Sequence, residues 1–341
     1  MRRLVGHYPE EFFFQIENSR PRTSPLCFDL TVQHRDQQIA QNIDRDTADD
    51  LLEKYFTLVH PFHSFIDRQE LVILYENAMD HGLGSDNQSA LVLAVLALGA
   101  TASDPIDSQK TQYSGDGLTQ EAVRIVYKSW DSSFGGDIIL SQAIILCALY
   151  FTYKVEPLAA WRLVHMASTT IQQIMIRCKD RFSTEAEAQE IHRLCWVCFI
   201  LESDILAEFH QPRSGIEIVV DQIPFPNYGQ SPLPDHLYSL AEISARSLLN
   251  RIHHTVYFKE SSTVYGGQNS PGASIPTQAS APRLDPSLSR VCEELGHQLE
   301  AWYGSLPEVI RPRLGDEFEG SRHSIMLRLR YESAPMSQRP Y

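Results

Sequence analysis

The segment "SALVLAVLALGATAS", residues 89–103, is apolar on every side at helical spacing, and this limits the fold more than any other feature of the chain. A helix with no polar face has to be enclosed by other protein elements or by lipid. Lipid is excluded by length, since the longest unbroken apolar runs, residues 90–98 and 194–201, fall well short of the roughly 20 residues that cross a bilayer. The segment is therefore expected at the centre of a helical bundle.

The sequence around it supplies the helices to enclose it. "TADDLLEKYFTLVHPF" places Leu51, Leu52, Tyr55, Phe56 and Val59 on one face, with Thr47 three residues before Asp50 in an approximate capping box and Pro61 as the stop. "RQELVILYENAMDHGLG" puts Leu71, Leu74, Tyr75, Ala78 and Met79 on one side and ends in glycines suited to a C-terminal cap. "DIILSQAIILCALYFTY" and "LAAWRLVHMASTTIQQIMI" continue the pattern on either side of a turn at Pro157. Only "GIEIVVD" hints at extended structure.

The predicted class is all-α: a large multi-helix domain of packed antiparallel helices with a long flexible loop. Residues 47–259 form the helical core. Residues 260–286, rich in Ser, Gly, Pro and Thr, cannot repay their ordering entropy and read as a flexible linker or loop. Residues 287–341 are C-terminal helices of the same domain, and residues 1–46, interrupted by prolines, are a partly disordered N-terminal extension.

Charge narrows the partners. With 29 Lys and Arg against 43 Asp and Glu, the net charge is −14, and such a surface repels phosphate backbones. The chain is not expected to grip DNA by itself. No membrane partner is expected, and "LVGHYPEEFFF" carries a histidine and two acids where a secretory signal needs an unbroken apolar stretch, so an intracellular protein is expected.

The six cysteines stand at 27, 147, 178, 195, 198 and 292. Cys195 and Cys198 flank Trp196 in "HRLCWVCFILESDILAEFHQPRSGI", a helix that Thr184 and Glu187 open with a capping box. Ile191, Leu194, Cys195, Cys198, Leu201, Ile205 and Phe209 recur at spacings of three and four, which turns both thiols inward. A structural zinc needs four ligands, and no second cysteine pair exists; a redox thiol belongs at a helix N-terminus, and these lie mid-helix. Core packing is the expectation.

Other candidate sites also have plainer readings. His60, His63 and Asp67 could be drawn as a metal triad, yet Pro61 breaks the helix between the histidines, which favours a turn with a structural histidine. "YGGQNSPG" lacks the strand, helix and Lys-Ser or Lys-Thr of a phosphate loop, and "PRSGI" lacks the Gly-x-Ser-x-Gly elbow of a hydrolase. His253 and His254 are neighbours, hence on different helix faces. Arg213 is expected to pair with a helix carboxylate or carbonyl, with Glu202 and Asp204 as the candidates, and not to bind a substrate, and Trp161 and Trp196 are expected to anchor the core. No catalytic, cofactor-binding or metal-ligating residue is predicted, and the chain is not expected to be an enzyme.

One order of elements is more specific. A helix with Arg193, Trp196, Glu202 and Asp204 runs into the turn Pro212, Arg213, Ser214, Gly215, and Asp221, Pro224 and Pro226 follow. This resembles the signature of the regulatory domain, or middle homology region, of fungal zinc-cluster transcription factors. "LLEKYFTLVHPFHSFID", with Tyr55, Phe56, Val59, His60 and Pro61, resembles that domain's opening. "ALVLAVLALGA" is similar to its apolar helix, and "LSQAIILCALYF" with "AAWRLVHMASTTIQQI", which holds Trp161, to its next helical pair. Trp302, Leu306, Pro307, Tyr331, Arg339 and Pro340 look like later landmarks, so the resemblance covers roughly residues 47–341. Ser64 and Cys195 depart from it, standing where the family often has a proline and a tryptophan.

The resemblance implies a nuclear regulatory domain controlling RNA polymerase II transcription. Its partners would be transcription machinery or co-regulators, with a homodimer and a small-molecule effector as further candidates. The family's six-cysteine, two-zinc DNA-binding segment has no counterpart in residues 1–46, which hold only Cys27, so the chain reads as a regulatory core trimmed at both ends, and zinc would belong to that missing cluster. The alternative is an all-helical small-molecule-binding protein or enzyme whose polar groups converge only in three dimensions.

Overall fold

In a computed structural model, residues 43–104, 113–132, 137–178, 184–208, 211–261, 286–315 and 320–334 are described. Among these residues there are eleven α-helices, one 3-10 turn and no strand, so the chain is all-α as its periodicity predicts. Nearly all of the expected N-terminal extension and of the expected linker at 260–286 lie outside the described residues. The chain divides into two compact units, one up to Asp235 and one from His236 onward.

The first unit contains α1 (Arg45–Leu58), a 3-10 turn (His60–Phe62), α2 (Arg68–His81), α3 (Asn87–Ala102), α4 (Asp116–Ser132), α5 (Ile138–Tyr153), α6 (Pro157–Cys178), α7 (Glu185–Glu208) and α8 (Ile216–Val220). Helix α3 is buried at every residue from Ser89 to Thr101, packed against α1, α2, α4 and α5. Helix α5 is a second such core, buried from Leu140 to Phe151 and packed against α3, α4, α6 and α7. Each large aliphatic side chain enclosed in this way stabilises the fold by roughly 1.5–3 kcal/mol.

Close approach of α3 to α1 depends on one residue type. A Cβ on Gly99 would lie 2.0 Å from the Leu51 carbonyl oxygen, so only glycine lets α3 meet α1 there. Aspartates hold the helix starts: Asp44, Asp67, Asp86 and Asp137 each accept a backbone N–H of the first turn of α1, α2, α3 and α5. The cap of α1 is thus Asp44, with Thr47 donating its N–H to it at 2.9 Å, and not the expected Thr47–Asp50 box. Asp44 stands three residues upstream and its carboxylate is the stronger acceptor. Gly82, at φ +83°, ends α2 as predicted.

Between α5 and α6 the chain turns through Val155 at φ +58°, with the Glu156 N–H bonded to the Phe151 carbonyl at 2.9 Å. Beside that turn the buried Lys154 ammonium lies 2.7 Å from Asp116 and 3.4 Å from the buried Glu156 carboxylate, and the Tyr150 hydroxyl donates to Asp116 at 2.6 Å. The turn and the start of α4 are joined through this network.

"GIEIVVD" is not extended. Gly215, at φ +88°, redirects the chain into the short helix α8, whose Ile216 and Val220 sit one turn apart and are both buried. Four β-branched residues in five suggest a strand, but packing on α6 and α7 decides otherwise.

The second unit comprises α9 (Pro234–Ser261), whose first turn holds the division point, α10 (Pro286–Ser305) and α11 (Arg322–Ser333). Within it, Trp302 donates its indole N–H to Ser244 at 3.0 Å, Arg330 donates to Glu242 at 2.5 Å, and the Tyr238 and His323 rings stack at 4.7 Å. Among the described residues no helix is long and apolar enough to cross a membrane.

Candidate functional site

Helix α7 organises the candidate site. Thr184 Oγ accepts the Glu187 N–H at 3.2 Å, as the capping pattern predicts. Ile191, Leu194, Cys195, Cys198, Leu201 and Ile205 are buried, while Phe209 lies outside the described residues. Trp196, Val197 and Phe199 are buried too, so the middle of α7 is enclosed on all sides and not only on the predicted face. Burial pushes the Cys195 and Cys147 thiols up to about 12. Cys198 is raised well above its ordinary value by burial first and Cys195 second. Thiols in this state pack as small apolar groups. Among the described residues no group of three or more His, Cys, Asp and Glu is placed to hold a metal ion.

The turn that follows α7 is fastened at several points. Glu202, 2% exposed, accepts the Ser214 backbone N–H at 2.6 Å. Gln172 of α6 donates to the Ser214 carbonyl at 3.2 Å, and Trp161 of α6 donates its indole N–H to the Pro212 carbonyl at 3.1 Å. The His165 ring lies 4.6 Å from that of Trp161, with Nδ1 3.8 Å from the Glu202 carboxylate. Ser214 Oγ accepts the Ile216 N–H at 3.3 Å, closing the entry to α8.

The exit from the turn is held in the same manner. Trp196 donates its indole N–H to the Pro224 carbonyl at 3.0 Å and packs edge-on against Phe225 at 5.1 Å, while Gln189 accepts the Asn227 N–H at 2.9 Å. In the other direction Arg193 donates to the Phe65 carbonyl at 3.3 Å. Helix α7 thereby ties the 3-10 turn region to the strap of residues 212–227.

The predicted signature residues fall into four places, one of them α6, which carries Trp161. His60 and Pro61 lie in the 3-10 turn, where His60 Nε2 meets the Ile66 carbonyl at 3.1 Å and burial lowers the imidazole pKa. Asp67, drawn with His60 and His63 as a possible triad, caps α2 instead by accepting the N–H groups of Gln69 and Glu70. Arg193, Trp196, Glu202 and Asp204 lie on α7, and Pro212, Arg213, Ser214, Gly215, Asp221 and Pro224 on the strap.

Two expectations are corrected. Arg213 pairs with Glu217 of α8 at 2.7 Å and not with Glu202 or Asp204, because Glu202 is buried and already bound to the Ser214 N–H. Trp161 is half-buried and holds the Pro212 carbonyl, so it fastens the turn and does not anchor the core. Gln172, Gln189 and Glu217 were not singled out from sequence. Gln172 was findable, since it shares a helical face with Trp161 and His165 at spacings of four and seven.

The protein-family model of the fungal specific transcription factor domain matches residues 52–303. No curated protein and no solved structure matches the chain. The matched span takes in the 3-10 turn, the buried helices α3 and α5, and the whole strap with its fastenings. Since that span is well over half of the sequence, the chain belongs to the fungal specific transcription factor domain family.

Proposed function

We propose that this chain is the regulatory, or middle homology, domain of a fungal zinc-cluster transcription factor, acting on RNA polymerase II transcription in the nucleus. The family match over residues 52–303 carries the reading. Its DNA contact comes from a zinc-cluster segment that residues 1–46 do not contain, and zinc belongs to that segment. The net charge of −14 supports a domain that meets proteins and not phosphate backbones. Its partners are co-regulators or the transcription machinery, with a second copy or a small-molecule effector biasing the helical body between two states. The domain performs no chemistry of its own: buried groups such as Glu202 and Lys154 are occupied in holding turns.

The test is a reporter assay. The full chain is fused to a heterologous DNA-binding domain and compared with that domain alone. A several-fold change in reporter output, in either direction, is expected. A nuclear, well-expressed fusion with unchanged output defeats the proposal. The unfused chain is expected to leave labelled promoter DNA unshifted at physiological salt, and tight sequence-selective retardation contradicts the assignment of DNA contact to another segment.

A further inference from the structure

Gln142, in α5, is 1% exposed, and its amide is only half satisfied. Its Nε2 donates to Glu190 Oε1 of α7 at 2.6 Å, whereas its Oε1 is buried and meets no donor. An ionised carboxylate can serve only the first of these ends, because it accepts and cannot donate. A carboxylic acid can serve both: one oxygen accepts the amide N–H while the hydroxyl donates to the amide oxygen, closing a cyclic pair of hydrogen bonds. A buried amide oxygen left without a donor destabilises the fold that encloses it.

We propose that Glu190 carries a proton in the resting fold and forms an acid–amide pair with Gln142, and that release of this proton to solvent unfastens the N-terminal half of α7 from α5, making the domain responsive to pH. The surroundings agree with the geometry. Burial, then the Glu70 carboxylate from α2, push the Glu190 carboxyl up to about 7, with Glu187 adding to the rise and Arg193 and the Gln142 bond opposing it.

The position gives the proton leverage. Within two turns of Glu190 on α7, Gln189 holds the Asn227 N–H, Arg193 holds the Phe65 carbonyl and Trp196 holds the Pro224 carbonyl. Ionisation leaves the Gln142 oxygen without its donor and adds a third negative charge beside Glu70 and Glu187, against the single positive charge of Arg193, so the same stretch of α7 that fastens the strap is the one that loosens. This inference stands on the contact between α5 and α7 and holds whether or not the domain regulates transcription.

The sign follows from linkage. The folded-state value of about 7 lies above the ordinary 4.5 of a free glutamate, so the stabilisation is complete at pH below the ordinary value and is lost as pH rises through about 7. The test is urea denaturation of the full chain between about pH 5.5 and about pH 8, for the wild type and for Glu190→Gln. The variant keeps an amide-to-amide pair and carries no titrating proton. The wild-type midpoint is expected to fall with pH across this range, and the variant to lose most of that fall. Equal slopes overturn the proposal. Should the variant fail to fold, the carboxyl carbon of Glu190 in wild-type protein labelled with 13C-glutamate decides: titration near neutrality supports the pair, and titration in the ordinary glutamate range overturns it.

Discussion

The backbone N–H of Ser214 points at the buried carboxylate of Glu202 across 2.6 Å, so the Pro-Arg turn hangs from a charge inside α7. Substituting Glu202→Ala leaves that N–H without its acceptor, and a lost bond to a charged group costs about 1.5–3 kcal/mol. Glu202→Gln keeps an acceptor oxygen and is expected to cost less. Urea midpoints rank the two variants, and hydrogen exchange at Ser214 and Ile216 is expected to accelerate in the alanine variant alone.

Two glycines predict opposite signs for one change. Gly99→Ala drives a methyl against the Leu51 carbonyl, which cannot move without shifting α1, and a loss of about 1–3 kcal/mol or more is expected. Gly304, in the last turn of α10, has nothing within 4 Å of its would-be Cβ. Gly304→Ala is expected to gain about 0.5–1 kcal/mol from helix propensity. Thermal melts of both variants check the pair.

Val155 occupies a backbone region that branched side chains rarely adopt, at φ +58°, and its side chain is 46% exposed. Replacement by glycine removes a strain of about 1–2 kcal/mol and gives up little packing. A net gain of about 1 kcal/mol is therefore expected after the greater chain entropy of glycine is subtracted. An unchanged or lower denaturation midpoint for Val155→Gly contradicts this account of the turn.

Cys147, Cys195 and Cys198 are fully enclosed, and their thiolates are suppressed by burial. Native protein treated with iodoacetamide near neutral pH is expected to carry no label at these three positions, and all three are expected to react once the chain is unfolded. Peptide mapping by mass spectrometry reads the difference. Rapid native labelling at Cys195 or Cys198 contradicts the packed interior of α7.

The long helices were readable because their signal is local and repeated. A stretch as uniformly apolar as α3 has no stable place except an interior, and the capping pattern at Thr184 marks the start of α7 before any contact is known. The misread features depend on tertiary choices. Helix α8 is a single turn of β-branched residues whose conformation follows from Gly215 and from packing on two other helices. The partner of Arg213 depended on which carboxylate was already engaged, and the role of Trp161 on a carbonyl 51 residues away. The pairing of Gln142 with Glu190 gives no periodic signal, since each residue also fits an ordinary helix surface.

The bond from Arg193 to the Phe65 carbonyl joins residues 128 apart in the sequence. On a ribosome the region after the 3-10 turn therefore waits for α7 to be synthesised before it gains this partner, and loop closure over such a distance slows folding. Fragments that stop short of α7 lack both the fastening of Phe65 and the attachment points of the strap. Until α7, at residues 185–208 of 341, has been made, the segment around Phe65 is held only by its neighbours in sequence, and the strap that comes after has nothing yet to fasten to.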